Sequence, residues 1–249
     1  MTKKDKRVMI IAGSDNMLKK IKKILLLILS FVLLITSYLI YKGYVMYDHA
    51  LVQYPIMQMV EDICDNENYT TLEELPQMYI NAVIAVEDQR YYRHSGIDIY
   101  AISRALYHDL LAMSYVEGGS TITQQLAKNV YFTQEKKIER KVAEVFMAQA
   151  IEKVCSKDQI LELYLNSIYF GDGYYCVYDA SMGYFNKVPS QMNDYESTLL
   201  AGIPNAPSVY SLSNSPTLAS QRQKQVLKRM IKNQYITKEQ ADAILQSHE

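Results

Sequence analysis

The sequence predicts a mainly α-helical protein with a single transmembrane helix near its N-terminus. An uncharged apolar run of 18 residues predicts the transmembrane helix, and apolar residues at steps of three and four predict further helices along most of the later chain. No run of alternating apolar and polar residues indicates strands. The chain has 249 residues, of which 49% are hydrophobic. That is enough for one large domain or two small ones, and it excludes a disordered chain.

The uncharged run covers residues 24–41 and consists mostly of Leu and Ile. A helix of that length spans roughly 27 Å, close to the hydrocarbon thickness of a bilayer. Four of the five residues 19–23 are lysines, whereas no Lys or Arg occurs between Lys42 and Arg90. The positive-inside rule therefore predicts a cytoplasmic tail over 1–23, an anchor over 24–41 and an extracellular remainder. A buried core helix and a cleaved signal peptide are the alternatives; the run is long for either, and no Ala-x-Ala site follows it.

The net charge of −1 hides an asymmetry between the tail and the rest of the chain. Residues 1–23 sum to +6 and the remaining residues sum to −7. Phosphate neutralisation by a folded domain requires an excess of positive charge, which the outer portion lacks. We therefore expect no nucleic-acid partner.

After the anchor, the chain divides into a connector and one helical domain. Residues 42–70 are acidic and weakly periodic, which predicts a juxtamembrane connector, and residues 71–249 predict the domain. Helices are predicted over 77–87, 97–115, 121–129, 136–154, 158–170, 195–201, 221–232 and 238–246. The helix at 97–115 is unusually apolar for a surface element. It is either ordinary core or a segment that dips into the outer leaflet.

Several familiar catalytic motifs are absent from the sequence. It contains no His-Glu-x-x-His, no Cys-x-x-Cys, no phosphate loop and no Gly-x-Ser-x-Gly. It also contains no Ser-x-x-Lys, which excludes a penicillin-type serine acyl-enzyme site. Three cysteines exclude a disulfide scaffold and lack the spacing of a metal site. The remaining candidates for chemistry are carboxylates, cations and amides in three segments.

The first segment is the acidic pair Glu87-Asp88, which follows the apolar run 82–86 at the predicted end of a helix. Apolar surroundings raise the pKa of a carboxyl group, because burial disfavours the charged form. Glu87 with a raised pKa would be a usable general base near neutral pH. The alternative is a solvated helix end with local ion pairs.

The second segment is Arg140-Lys141-x-x-Glu144, where all three charges project from one side of the predicted helix. A carboxylate beside two cations suits a diphosphate ligand, which Arg grips bidentately and Lys holds as a point charge. The alternative is an exposed helix with ordinary ion pairs. The opposite face is predicted to be a core stripe made of Ile138, Val142, Phe146, Ala150 and Val154.

The third segment is 118–129, which begins with two glycines that allow close approach of a ligand to the backbone. Ser120 and Thr121 are candidate caps for a helix whose N-terminal N–H groups favour anions. The alternative for this turn is an ordinary helix start. The side chains that share one donor face of this helix are Gln125, Lys128 and Asn129.

In these three segments the chain resembles the family-51 glycosyltransferases, which polymerise peptidoglycan. The similarity runs from about Thr70 to Ile244 and comprises five motifs in the order of the family, at 87–98, 118–129, 140–144, 157–171 and 201–208 with Arg222 and Val226-Leu227. The resemblance implies a lysozyme-like large lobe with a small membrane-facing lobe, here at 97–117. The chain ends after the fifth motif, so a monofunctional enzyme without a transpeptidase domain is expected.

The resemblance also implies a reaction and its partners. The donor would be a growing glycan chain on undecaprenyl diphosphate and the acceptor lipid II, both held in the membrane, and other cell-wall synthesis proteins are possible partners. Glu87 would be the base. Glu144, the second catalytic carboxylate, would either orient the cations or bind a divalent ion, Mg²⁺ or Mn²⁺, at the diphosphate. The diphosphate ligands would be Lys128, Asn129, Arg140 and Lys141, and the supporting residues Ser120, Thr121, Gln125 and His94.

One geometric expectation follows from this assignment. Four cations, Arg90, Lys128, Arg140 and Lys141, should line a single cleft together with the two glutamates. Two other classes of function remain open at this point, a membrane-tethered glycan hydrolase and a non-catalytic scaffold of a wall-synthesis complex. A hydrolase also needs two carboxylates, but a neutral glycan does not require the cations.

Overall fold

The computed structural model describes residues 3–112, 118–133, 135 and 137–247. In these residues the protein is almost wholly helical, which confirms the predicted mainly α class; the one bridge outside helices pairs Ser95 with Ile97. The helices are α1 Lys3–Gln53, α2 Ile56–Cys64, α3 Gln77–Glu87, α4 Ile99–Ala112, α5 Ile122–Tyr131, α6 Ile138–Val154, α7 Lys157–Leu165, α8 Val177–Phe185, α9 Asp194–Leu200, α10 Pro207–Tyr210, α11 Pro216–Lys232 and α12 Lys238–Gln246.

Helix boundaries follow the predictions where a cap is clear in the sequence. Both α3 and α12 have the predicted bounds. The N-cap residues Thr121 and Ser156 directly precede α5 and α7. The side chain of each accepts a hydrogen bond from the backbone N–H of the residue three positions later. Helix α7 ends at Leu165, five residues before the predicted end at residue 170. The side-chain amide of the next residue, Asn166, accepts a hydrogen bond from the backbone N–H of Thr70 and donates one to its carbonyl, both at 2.8 Å.

The starts of α8 and α11 are among those that were not predicted. Pro216 is the first residue of α11, which therefore begins five residues earlier than expected, with the Ser215 side chain as its cap. The whole of α8 was missed; its cap is the Cys176 thiol, which accepts from the backbone N–H of Asp179 at 3.4 Å.

The N-terminal helix α1 is continuous and meets the length and composition of a membrane span over Lys20–Gln53, the part in which its side chains are described. None of its most apolar window is buried inside the protein. The helix runs on to Gln53, and α2 follows directly after Pro55. Most of the segment 42–70, which was predicted as a connector, is therefore helical.

The end of α1 packs against α6. The backbone at Gly43 approaches Val142, and the rings of Tyr44 and Tyr47 lie 5.5 and 5.8 Å from that of Phe146. This contact corrects the predicted core stripe of α6. Two members of the stripe cover the anchor helix, while its two ends, Ile138 and Val154, are 65% and 51% exposed. The residues of α6 that are buried in the domain are Ala143, Glu144, Met147, Ala148 and Ile151.

Helix α3 lies at the centre of the domain, between α9 and α11. Its buried residues are Tyr79, Ile80, Ala82, Val83, Ile84 and Ala85. Because nearly every side chain before Glu87 is apolar and buried, the helix delivers that glutamate to the interior rather than to solvent. The fold thereby produces the environment that the sequence predicted for Glu87.

Helix α4 behaves differently from a core helix. Ile99, Tyr100, Tyr107 and Leu111 are each more than 60% exposed. These described side chains give α4 an exposed apolar surface, which favours the outer-leaflet alternative over ordinary core. The last residues of the predicted helix and of the predicted small lobe, 113–117, lie outside the described residues.

The contact between α1 and α6 generates a stability prediction. A Cβ atom at Gly43 would lie 2.5 Å from the Cβ and Cγ1 atoms of Val142. Gly43→Leu should therefore force the two helices apart and lower the free energy of unfolding by about 1–3 kcal/mol, measured by thermal unfolding in detergent micelles. Val45→Leu, at a position that is 46% exposed on the same helix, should leave it unchanged. Equal unfolding for both variants would contradict the packing described.

Candidate active site

A cavity of about 510 Å³ opens at the C-terminal end of α3. Both predicted carboxylates, Glu87 and Glu144, line it, and Lys128 and Lys141 line it as well. These four residues come from α3, α5 and α6, which the chain brings together across 57 positions of sequence between the two glutamates. The structure therefore combines buried acid and cationic side chains in one place, as the sequence predicted.

Glu87 is the last residue of α3, and its side chain is mostly buried beside the cavity. Its side chain is 9% exposed, and Oε2 accepts a hydrogen bond of 2.8 Å from the Gln125 amide. Oε1 lies 3.9 Å from the Arg222 guanidinium and has no hydrogen-bond partner among the described residues. Burial raises the pKa of Glu87, and the Gln125 hydrogen bond, Arg222 and Lys128 oppose the rise. A carboxyl group of this kind can accept a proton near neutral pH.

Glu144 is fully buried and holds two cations of its own helix. Its carboxylate pairs with the Arg140 guanidinium through one oxygen and with the Lys141 ammonium, at 2.7 Å, through the other. Lys141 also donates to the Ser120 hydroxyl at 2.7 Å. The predicted grouping of these charges on one side of α6 is thus observed, and Glu144 fixes the directions of both cations.

The cations of the site crowd one another. Burial and the neighbouring charges of Arg140 and Lys128 lower the pKa of Lys141 to about 8. Burial, followed by the charge of Arg140, also lowers the pKa of Lys128. Like charges held close together repel one another, and an anion bound between them would reduce that repulsion. The geometry and the charge both favour an anionic ligand.

The predicted strip of four cations is correct only in part. Lys128 and Lys141 line the cavity, but Arg140 lines a neighbouring cavity of about 290 Å³ between α1 and the end of α5 and reaches the site through Glu144. Arg90 forms an ion pair of 2.9 Å with buried Asp98 and lies over the ring of Tyr100. A carboxylate eight residues away captures this arginine, so Arg90 does not join the strip.

The predicted supporting residues divide into two groups. Ser120 and Gln125 line the cavity. Thr121 caps α5, and its hydroxyl donates to the carbonyl of Gly96 at 2.7 Å, which indicates a structural role. Asn129 is half-buried beside Lys128 and is not part of the cavity lining.

His94 lies behind the cavity rather than in it. Its Nε2 atom is 2.9 Å from the carboxylate of Asp88, and both side chains are almost fully buried. The same carboxylate accepts from the backbone N–H of Ile122 at 3.1 Å. His94 and Asp88 therefore connect the loop after α3 to the first turn of α5. The same helix carries Gln125 and Lys128.

Three arginines of the lining, Arg104, Arg222 and Arg229, were given no role in the sequence analysis, although Arg222 belongs to the fifth motif. Arg222 and Arg229 are seven residues apart on α11, two helical turns, so they share one face. That spacing was the available signal. Nothing local connects α11 to Glu87, however, and only the packing of α3 on α11 brings Arg222 to the glutamate.

Comparisons with known proteins identify a family and relatives of this chain. Residues 56–231 match the family described as Transglycosylase. The chain is 39% identical over 239 residues to penicillin-binding protein 1F of Bacillus subtilis, covering 89% of this chain and 34% of the relative. It is 48% identical over 172 residues to penicillin-binding protein 1A of Vibrio cholerae, covering 69% of this chain and 21% of the relative.

Among solved structures, the crystal structure of penicillin-binding protein 1A from Haemophilus influenzae matches with 25% identity and a TM-score of 0.43, covering 71% of this chain and 17% of that one. The chain spans between about a fifth and a third of the length of the curated relatives named above. The family match extends over more than half of the chain and confirms the resemblance seen in the motifs. This chain belongs to the transglycosylase family.

Proposed function

We propose that the chain polymerises lipid II into the glycan strands of peptidoglycan by inverting glycosyl transfer, with release of undecaprenyl diphosphate. The observation that carries the proposal is the cavity in which buried Glu87 lies with Lys128, Lys141 and the Glu144 cluster. A base beside a set of crowded cations suits a reaction in which a hydroxyl loses a proton while a diphosphate departs. Membership of the transglycosylase family supports the same reaction class.

The proposed step has Glu87 as the general base. Glu87 takes the proton of the acceptor's 4-hydroxyl, and that oxygen forms a bond to the anomeric carbon of the donor. The bond from this carbon to the diphosphate breaks, and the diphosphate leaves with the electron pair. Attack from the face opposite the leaving group converts the α-linked diphosphate into a β-1,4 glycosidic bond.

The cations would stabilise the charge that develops on the leaving diphosphate. Lys128 and Lys141 face the cavity, whereas Arg140 acts from behind through Glu144. Stabilisation accelerates the step only where it exceeds binding of the ground state. Asn129, implied by the family resemblance, would then support Lys128 rather than contact the substrate directly, because it lies outside the cavity lining.

We propose that Glu144 orients the two cations and does not bind a metal. Both of its carboxylate oxygens are already engaged by Arg140 and Lys141. In the described part of the chain, no three His, Cys, Asp or Glu side chains lie together as a metal-binding group. These donors do not fit a divalent ion held by the protein, and no step of the proposed mechanism uses one.

The membrane explains two other features of the chain. We propose that α1 anchors the protein with its N-terminus in the cytoplasm, in agreement with the lysines at 19–23, and that the exposed apolar face of α4 lies in the outer leaflet. A substrate with a polyprenyl tail is confined to the bilayer. An enzyme tethered beside it gains effective concentration without any further contact.

We also propose that these 249 residues act without a transpeptidase module. The residues that line the cavity lie between 85 and 229, inside the segment 56–231 that matches the transglycosylase family, and this supports the proposal. We propose other cell-wall synthesis proteins as partners.

The first prediction concerns the base. Glu87→Gln keeps the shape of the side chain and removes its ability to take a proton, so polymerisation should fall by about 10²- to 10⁴-fold. The measurement is gel analysis of glycan made from labelled lipid II by the purified full chain. Glu73→Gln, which changes an exposed glutamate far from the cavity lining, should leave the rate unchanged. Unreduced polymer from Glu87→Gln would show that Glu87 is not the base, and no polymer from the wild-type chain would support a scaffold instead.

The second prediction separates a polymerase from a hydrolase, which also needs two carboxylates. The purified chain should lengthen glycan from lipid II and release no fragments from finished cell wall. Both products can be measured in parallel, by gel and by chromatography of soluble muropeptides. Release of fragments with no polymer would contradict the proposal, because Lys128 and Lys141 would then have no anionic substrate.

The third prediction concerns pH. Glu87 must be ionised to act, and its pKa is raised, so the rate should rise as the pH increases through that value. Lys141 must be protonated to hold the diphosphate, and its pKa is lowered to about 8, so the rate should fall as the pH increases through about 8. Lys141→Arg keeps the charge at high pH and should remove this alkaline fall.

The control for the pH experiment is a cation outside the site. Lys187 pairs with Glu196 at 2.7 Å, and Lys187→Arg should leave both limbs of the kcat/KM profile in place. An alkaline limb that persists near pH 8 in Lys141→Arg would show that another group causes it.

A further inference from the structure

We propose that Tyr164 is a positioning residue that fixes the Gln125 amide so that its nitrogen donates to Glu87. The proposal rests on the function proposed above, in which Glu87 is the base. Tyr164 belongs to α7 and does not line the cavity; it acts on the reaction through Gln125 alone.

Three side chains form a continuous line from the core to the cavity. The Tyr164 hydroxyl donates to Oε1 of Gln125 at 3.2 Å, and Nε2 of Gln125 donates to Oε2 of Glu87 at 2.8 Å. Tyr164 is fully buried. Its position is fixed by packing, because α5 and α7 lie against each other.

Chemistry assigns the direction of each hydrogen bond. An ionised carboxylate only accepts, so the end of the amide that faces Glu87 must be the nitrogen. The carbonyl end then faces Tyr164, whose hydroxyl can donate to it. Burial raises the pKa of Tyr164 well above its ordinary value, so the hydroxyl keeps its proton over the working pH range. Turning the amide around would set its carbonyl oxygen against the Glu87 carboxylate, two acceptors, and would remove the acceptor of the Tyr164 hydroxyl.

The fixed amide affects the strength of the base. A hydrogen bond to the ionised form stabilises it and lowers the pKa of a carboxyl group, here against the larger effect of burial. Without the hydroxyl, the Gln125 amide would be free to rotate, and its donation to Glu87 would be present only part of the time. Burial would remain, so the pKa of Glu87 would rise.

The other groups that act on Glu87 do not change when Tyr164 is altered. They are Asp88, which follows it in the chain, Lys128 from α5 and Arg222 from α11. None of these makes a hydrogen bond to Tyr164 in the structure. A change in the pKa of Glu87 in a Tyr164 variant would therefore report on the Gln125 amide.

The experiment titrates Glu87 directly and does not depend on turnover. The full chain, labelled with ¹³C at the glutamate carboxyl groups, is titrated by NMR in detergent micelles, and Glu87→Gln identifies the signal of Glu87. Tyr164→Phe should raise the midpoint of that signal by about half a pH unit to one unit. Gln125→Leu should raise it as well. In a chain that polymerises lipid II, the acid limb should move by the same amount in Tyr164→Phe.

The control removes the same group from the same core. Tyr79 is also fully buried, and its hydroxyl has no hydrogen-bond partner among the described residues. Tyr79→Phe should leave the midpoint of Glu87 unchanged. Any general loosening of the core by loss of a tyrosine hydroxyl would affect both variants alike.

A double variant tests whether Tyr164 acts through Gln125. In a Gln125→Leu background, Tyr164→Phe should add no further shift, since the group through which it acts is gone. An unmoved midpoint in Tyr164→Phe, or a further shift in the double variant, would overturn the proposal. If the midpoint behaves as expected but the wild-type chain makes no polymer, the proposed function fails and the positioning role stands.

Discussion

The burial of one carboxyl group is the constraint on which the rest of this site depends. Helix α3 is apolar along nearly its whole length, and it ends with Glu87 inside the domain. A buried carboxylate is tolerated only with polar partners. The chain provides an amide at 2.8 Å from Oε2 and a guanidinium at 3.9 Å from Oε1, and Oε1 is buried without a hydrogen-bond partner among the described residues. A carboxyl group that is buried and only partly satisfied in this way has a stronger tendency to take up a proton.

The second constraint is electrostatic. Glu144 holds Arg140 and Lys141 together, and burial, followed by the neighbouring positive charges, lowers the pKa values of Lys128 and Lys141. The glutamate compensates for part of the repulsion and leaves an excess of positive charge toward the cavity. The same helix packs against the anchor through Phe146. Helix α6 therefore connects the N-terminal apolar helix to the charged residues of the cavity.

Much of this could be predicted from the sequence because it is local. Helical period and caps defined α3 and α12, and spacing placed Arg140, Lys141 and Glu144 on one side of α6. What failed depends on packing between distant elements. Period shows that a face is apolar but not what covers it, so the stripe on α6 was assigned to the core and not to the anchor.

The same limit explains the errors in the site. A list of cations gives no information about which carboxylate captures each one, and Asp98 holds Arg90 outside the predicted strip. Arg222 reaches Glu87 only because α11 packs on α3.

The central claim is that the cavity binds a diphosphate between its cations and its base. The direct measurement is the affinity of the full chain for a short-chain prenyl-diphosphate disaccharide. Lys128→Ala and Lys141→Ala should each weaken binding about tenfold or more, and Lys187→Ala should not; equal affinity in all three variants would contradict the account.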